Sequence, residues 1–414
     1  MRICVIGAGV TGLTVAKALS DRHQVEIYEK DPEIGGIAKV KDVNGIAYHT
    51  VGGHCMNSKN PEILNYIFKE VLKKDQWHHV QRKATVNFEN NSVPYPIEFN
   101  IKEIAKINKE LAFDITKDFL TTTYEEGKVK NLADWFRGKF GETLANKYFI
   151  PYNQKIWLQD LDKMSFEWVQ DKLPIPDKQS FFDALVGDKD DKMPHSTFYY
   201  PNSNTQNTFI NGLAEGLNIN LNKKVFSVEK SGQKWKVNKN SIYDIIINTM
   251  PLDVLPFIVD GTPNKVKAAA SKLKYNKVTN MLWKTTEVDS TWTYIPEDGN
   301  IFHRHIHIGN FFNPVRNYTI TESMGERTYD EMLQQGKRYD YLLEPLDYNV
   351  SEHAYVVYDE NYKDSTACIK SYFEEIGLHT IGRFGEWEYY NMDVCMESAL
   401  KLAKKINSMY DNEV

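Results

Sequence analysis

At 414 residues, the chain is too long for one small core and implies two or three domains. Its 42% hydrophobic content is that of a globular protein, and a net charge of −6 argues against a nucleic-acid partner. There is no run of about 18 apolar residues to span a membrane, and no signal peptide is expected ahead of the first strand. Cys4, Cys55, Cys368 and Cys395 are too scattered for a disulfide framework, so a cytoplasmic, reducing setting is expected.

The first 36 residues organise the rest. Met1–Ile6 reads as a strand that enters GAGVTG, in which Gly7, Gly9 and Gly12 keep G-x-G-x-x-G spacing. A helix follows, then a second strand, Val25–Tyr28, ending at Glu29. Gly7 permits the tight turn, Gly9 lets backbone approach a pyrophosphate, and Gly12 allows close helix–strand packing. The helix N-terminus turns exposed N–H groups toward phosphate, and Glu29 is spaced to accept from an adenosine ribose. Gly35 and Gly36 then supply a second close loop. That extension is typical of large FAD-binding chains, so FAD rather than NAD is the expected dinucleotide.

Farther on, Ile46–Val51 leads into Gly52, Gly53 and His54, where bare backbone can lie against a flat ring with the imidazole facing it. Asn60–Lys74 reads as an amphipathic helix. Thr85–Phe88 and Ser92–Ile97, joined by Glu89–Asn91, read as a hairpin. From Lys102 to Lys172 the periodicity is helical. Pro151 is expected to break a helix there and leave Tyr148–Trp157 irregular, as a pocket wall. Thr197–Pro201 is a strand and Thr208–Leu217 a helix. The hairpin of Lys224–Glu229 with Lys234–Val237 and the buried strand Tyr243–Met250 suggest a return to the cofactor domain, with Val225 over the adenine.

From Val278 to Tyr358 the pattern is β again. His303, His305 and His307 alternate onto one face, which reads as solvated rather than metal-binding because no acid or Cys cluster accompanies it. Arg304 shares the opposite face with Phe302 and Ile306 and points inward. A buried arginine needs an anion, and a diphosphate suits its fork. Gly382–Asp393 is a loop of glycine, arginine and acid that leads into a helix, Val394–Ser408, another place for polar cofactor atoms.

Taken together, the chain resembles the FAD-dependent UDP-galactopyranose mutases nearly end to end. Four segments carry the resemblance: Gly52-Gly53-His54, Pro151–Trp157, Trp292-x-Tyr294 ahead of Phe302-x-Arg304, and Gly382-Arg-Phe-Gly ending in Tyr389-x-Asn-Met-Asp393. It implies an α/β fold: a discontinuous Rossmann-like FAD domain (1–77, 205–260 and 365–414), a helical insertion (100–185) and an antiparallel sheet domain (78–99, 186–204 and 261–364). The implied FAD contacts are Gly7, Gly9, Thr11, Gly12, Glu29, Gly35, Gly36, Gly53, Val225, Arg383, Asn391, Met392 and Asp393. His54 would face the flavin. Lys172 and Arg304 would clamp the diphosphate beside Tyr355 and Tyr389, with Tyr95, Tyr152, Asn153, Trp157 and Tyr294 lining the cleft.

The implied activity is pyranose–furanose interconversion of a nucleotide-diphosphate sugar, as in UDP-galactose, for surface-glycan synthesis. Reduced flavin would attack the anomeric carbon through N5 while the diphosphate leaves and later returns. This requires NAD(P)H or another reductant, and a homo-oligomer is compatible with it. Lys172 stands where the family has arginine, and Glu98 stands where some members carry an amide that pairs with uracil; His195 also departs from the family pattern. An amine- or protoporphyrinogen-type oxidoreductase is the alternative.

Overall fold

The computed structural model describes residues 1–170, 173–187 and 196–411. At its centre is a parallel sheet in the order His379–Thr380, Ile245–Asn248, Arg2–Ile6, Gln24–Tyr28 and Asn218–Asn220. Ile3, Cys4, Val5 and Ile6 are all buried, so the first strand is apolar on both faces, as parallel strands covered on two sides are. Helix Val10–Ser20 leaves the turn directly and packs along the C-terminal helix Met392–Asp411. Cys395, Met396, Ala399, Leu402, Ala403 and Ile406 are buried at helical spacing, which lays that helix back on the first sheet. Three distant stretches of chain thus complete one cofactor-type sheet.

A second sheet of seven strands lies beyond it, in the order Leu342–Val356, Tyr275–Thr285, Tyr318–Met324, Phe302–Ile306, Trp292–Tyr294, Ala84–Phe88 and Asn91–Pro94. Its pairs are antiparallel except Trp292–Tyr294 against Ala84–Phe88. Glu89 and Asn90 both take positive φ, which closes the last hairpin with the twist a two-residue turn needs. Helices Lys109–Thr121, Leu132–Phe140 and Ile150–Trp157 build an aromatic core beside this sheet, where Phe140 stacks on Phe149 at 3.9 Å.

Two local expectations are overturned. Pro151 does not break its helix: residues 142–157 stay helical, and a π-turn at Ala145–Phe149 just ahead of the proline shifts the backbone pairing where its N–H is missing. Nor is the histidine face solvated, because His303, His305 and His307 are all buried. The segment after helix Tyr329–Gly336 covers His305: Tyr341 bonds its Nδ1, and Tyr339 packs edge-on at 4.7 Å. The strict alternation fails as well: a register shift at His303 turns it to Glu322 (3.3 Å), the acid Arg304 binds, and puts Phe302 against His305 (5.3 Å). His307 is held between Thr319 (2.9 Å) and Thr293 (3.0 Å). Alternation alone could not tell a strand face meeting water from one meeting a second layer.

Burial holds the His307 imidazole down at about 3 and moves His305 and His303 the same way. The unfolded chain takes up those protons near pH 6.5, whereas the native state takes them up only at lower pH. Stability is therefore expected to fall as pH drops from 7 to 5. Urea unfolding at both pH values checks this; His307→Asn should shrink the loss by about 2 kcal/mol.

Candidate functional site

The glycine loop is built for close approach. Gly7 has φ +105°, and a Cβ there would lie 2.5 Å from Thr249 Oγ1. A Cβ on Gly12 would lie 2.0 Å from the Gly7 carbonyl oxygen, so the helix is seated directly on the turn. The second glycine pair docks on the first: Gly9 and Gly35 form a parallel bridge, Gly35 N–H donates to Ala8 O (2.8 Å), and a Gly36 Cβ would be 3.2 Å from Gly9 Cα. Buried Glu29 accepts from the N–H groups of Ala8 (2.7 Å) and Asp31 (2.9 Å), and its carboxylate keeps lone pairs for a ribose. Val225 is buried on the chain that follows Lys223, whose N–H donates to Glu29 O.

The C-terminal loop closes against this cradle. A Cβ on Gly382 would strike Thr11 Oγ1 at 2.4 Å. Arg383 donates to Tyr390 O (3.0 Å) and Ala354 O (2.7 Å) and lies 4.4 Å from the Tyr389 ring centre, while its Nε is buried without a partner among the described residues. Asn391 O accepts from Cys395 N–H at the start of the last helix, Met392 Sδ contacts Gln206, and Asp393 sits in that helix's first turn. Turns that exclude a side chain at Gly7 and Gly12, a ribose-type acid and an orphaned guanidinium Nε fit a dinucleotide with a second ring system.

Beside it, Gly53 lies flat, with Ile306 where a Cβ would reach 2.8 Å. His54 Nε2 donates to Ile37 O (2.8 Å), and burial with Arg383 nearby holds its imidazole down at about 4. It is neutral near pH 7. Behind it, buried His49 accepts the His54 N–H (3.2 Å) on Nδ1, so its Nε2 donates to Tyr200 Oη (2.8 Å).

Arg304 already has an anion, a correction to the sequence-based reading. Its Nε and Nη2 donate to Glu322 Oε1 (3.1 and 2.6 Å), and Nη2 also reaches Tyr355 Oη (2.9 Å). Glu322 is fully buried; it also takes the Gly52 N–H on Oε2 (2.8 Å) and lies 3.3 Å from His303 Nε2. Burial alone would raise its carboxyl, but Arg304 and His303 hold it down at about 2. Sequence reasoning missed Glu322, which lies in the buried, largely polar strand Tyr318–Met324 and comes opposite Arg304 only through the strand register.

An aromatic wall completes the cleft. Tyr355 and Tyr389 stack at 5.4 Å, and Trp157 meets both edge-on at 6.3 Å. Tyr152 meets Tyr294 (5.8 Å), which meets Tyr95 (5.1 Å). Asn153 spends its amide inside its own helix, accepting from Trp157 Nε1 (3.1 Å) and donating to Phe149 O (2.8 Å), so it aims the indole. Two further residues escaped the sequence reading. Arg82 donates to Tyr294 Oη (2.9 Å) with no carboxylate partner among the described residues. Lys155 donates to the carbonyls of Ile295, Glu297 and Phe302, tying helix to hairpin. Glu98 is buried with an unpartnered Oε2, and burial pushes its carboxyl up to about 8. Lys172 and His195 lie outside the described residues.

Residues 10–298 match the model of the flavin containing amine oxidoreductase family. The chain belongs to that family. It is an FAD-dependent enzyme of this group. It is similar to the UDP-galactopyranose mutase of Mycoplasma genitalium, 21% identical over 98% of this chain and 95% of that one. It is also similar to protoporphyrinogen oxidase 2 of Arabidopsis thaliana, 24% identical over 45% of this chain and 38% of the other. A crystal structure of reduced UDP-galactopyranose mutase superposes with a TM-score of 0.85, at 22% identity, over 99% of this chain and 96% of that one. Among the described residues no helix is long and apolar enough to cross a membrane, and no His, Cys, Asp and Glu group is placed to hold a metal.

Removing the central carboxylate should be costly. Glu322→Ala strands a buried guanidinium and is expected to lower stability by about 3–5 kcal/mol, whereas Glu322→Gln, which keeps the shape, should lose less. Urea denaturation of the three proteins measures the difference.

Proposed function

We propose that this enzyme is a mutase interconverting the pyranose and furanose forms of a nucleotide-diphosphate sugar, with UDP-galactose the first candidate. The observation that carries the reading is Arg304, a cation fixed by Glu322 next to the Gly53–His54 loop. With Nε and Nη2 committed, Nη1 is left to face a diphosphate. Tyr355 accepts from Arg304 through its oxygen, so its own proton is available to a phosphate oxygen, and Tyr389 stacks alongside. A departing diphosphate gains charge, and a cation already held in place stabilises that change without reorganising. Bound, reduced FAD supplies a nucleophilic nitrogen that splits the isomerisation into easier steps. Neutral His54 keeps this end uncharged and dry.

We assign Lys172 the second cationic position and the Tyr95–Tyr152–Tyr294 wall the nucleoside. Glu98 enters there as a neutral acid, donating through its hydroxyl and accepting through its carbonyl, the pattern an imide edge such as uracil requires. The 1–77, 205–260 and 365–414 segments hold FAD in this reading, and NAD(P)H or another donor reduces it. The second reading, an oxidase of amines or porphyrinogens, is favoured by the family's description and the likeness to protoporphyrinogen oxidase 2.

Anaerobic incubation of dithionite-reduced protein with UDP-galactopyranose, UDP-galactofuranose and a panel of other nucleotide sugars tests it. Interconversion only in the reduced state is expected; oxygen uptake on amines with no interconversion would favour the oxidase. Arg304→Ala should cost about 2–5 kcal/mol of transition-state stabilisation, or about 30- to several thousand-fold in kcat/KM. UDP affinity should weaken as pH rises through about 8 and Glu98 loses its donor. Calorimetric titration of Glu98→Gln should show that dependence gone.

A further inference from the structure

The small sheet beside the adenine end of the cradle differs chemically from the rest of the protein. Residues 223–242 hold six lysines, one glutamate and no arginine, in a chain whose net charge is −6. Lys234 pairs with Asp244 (3.1 Å), and Lys230 caps the Ile376 carbonyl. Lys223, Lys224, Lys236 and Lys239 have no ion-pair partner among the described residues. Large apolar side chains stand among them: Phe226 is 57% exposed, Phe257 54% and Ile242 49%.

Their display is built. Asn238 Oδ1 accepts the Phe226 N–H (2.9 Å) while its Nδ2 donates to Lys224 O (3.0 Å), which sets Lys224, Phe226 and Lys239 around one side chain. Val228 bridges Val259 in parallel, so Phe226 and Phe257 each stand two residues ahead of that contact. Ile242 is opposite Lys236 on the outward side of the sheet, whose inward side buries Val228, Trp235, Val237 and Tyr243.

Exposed rings held by a fixed backbone among lysines, against which stands one acid, Glu229 across from Lys236, match an interface that is apolar within and anionic above. Lysine is a point charge suited to a diffuse layer of headgroups. The absence of arginine removes the forked donor that reads nucleic acid or discrete phosphate. We infer that this face docks the protein peripherally on an anionic lipid bilayer, with Phe226 and Phe257 entering the headgroup boundary and the four lysines facing the lipid charges. The inference stands apart from the sugar chemistry.

Sedimentation of the holoenzyme with vesicles tests it. At low salt the protein should pellet with mixed phosphatidylglycerol–phosphatidylcholine vesicles, be released as salt rises, and stay in solution with phosphatidylcholine alone. The double variant Lys224→Glu/Lys239→Glu should bind at least about tenfold more weakly with its flavin content unchanged. In Phe226→Trp the introduced indole should shift its emission to the blue on vesicle addition and be quenched by brominated acyl chains. Equal binding to uncharged vesicles, no pelleting at low salt, an unquenched indole, or undiminished binding by the double variant would overturn the inference. So would capture of RNA without any capture of vesicles.

Discussion

One buried carboxylate ties the site together. Glu322 receives Arg304, lies against His303, and holds the Gly52 N–H at the head of the Gly53–His54 loop. A carboxylate taken fully out of water is tolerable only when its lone pairs are met, and here a cation, a backbone donor and an imidazole nitrogen meet them. The same contacts couple the strand that carries the cation to the loop that would lie against a flavin. Neither can shift far without exposing a bare charge in the interior.

The two sheets divide the work that surrounds this contact. The parallel sheet ends in bare glycine loops, where close backbone approach and helix N–H groups suit a dinucleotide. The seven-stranded sheet instead presents side chains: Arg304 and Glu322 from adjacent strands, Tyr355 from the long strand, Tyr294 from the short one. Lys155 and Asn153 do not face the cleft with their polar ends; they hold the hairpin and the Trp157 ring in place from behind. Buried neutral histidines beneath the second sheet keep the layer dry, at the expense of stability in acid.

Much was legible in the sequence. Gly7, Gly9, Gly12 and Glu29 announce themselves because only certain residues can occupy a turn pressed against a helix and a phosphate, and such demands are local. The strand and helix periods of Arg2–Ile6, Ala84–Phe88 and the C-terminal helix are local too. The histidine strand was misread because a register shift at His303 breaks the alternation, and because alternation is silent on what covers each face. Pro151 was misread because the π-turn just ahead of it lets the helix run on through a proline.

The sequence by itself determined the dinucleotide loop, the second glycine pair, the mixed helical and β texture, and an inward-facing Arg304. Those follow from spacing and from what single residues can or cannot do. Only the tertiary structure decided Arg304's partner, the burial of His303, His305 and His307, the raised carboxyl of Glu98, and the outward display of Phe226. Each of those depends on groups distant in the chain, and a desolvation energy is set by the whole of what surrounds a charge, never by its neighbours in sequence.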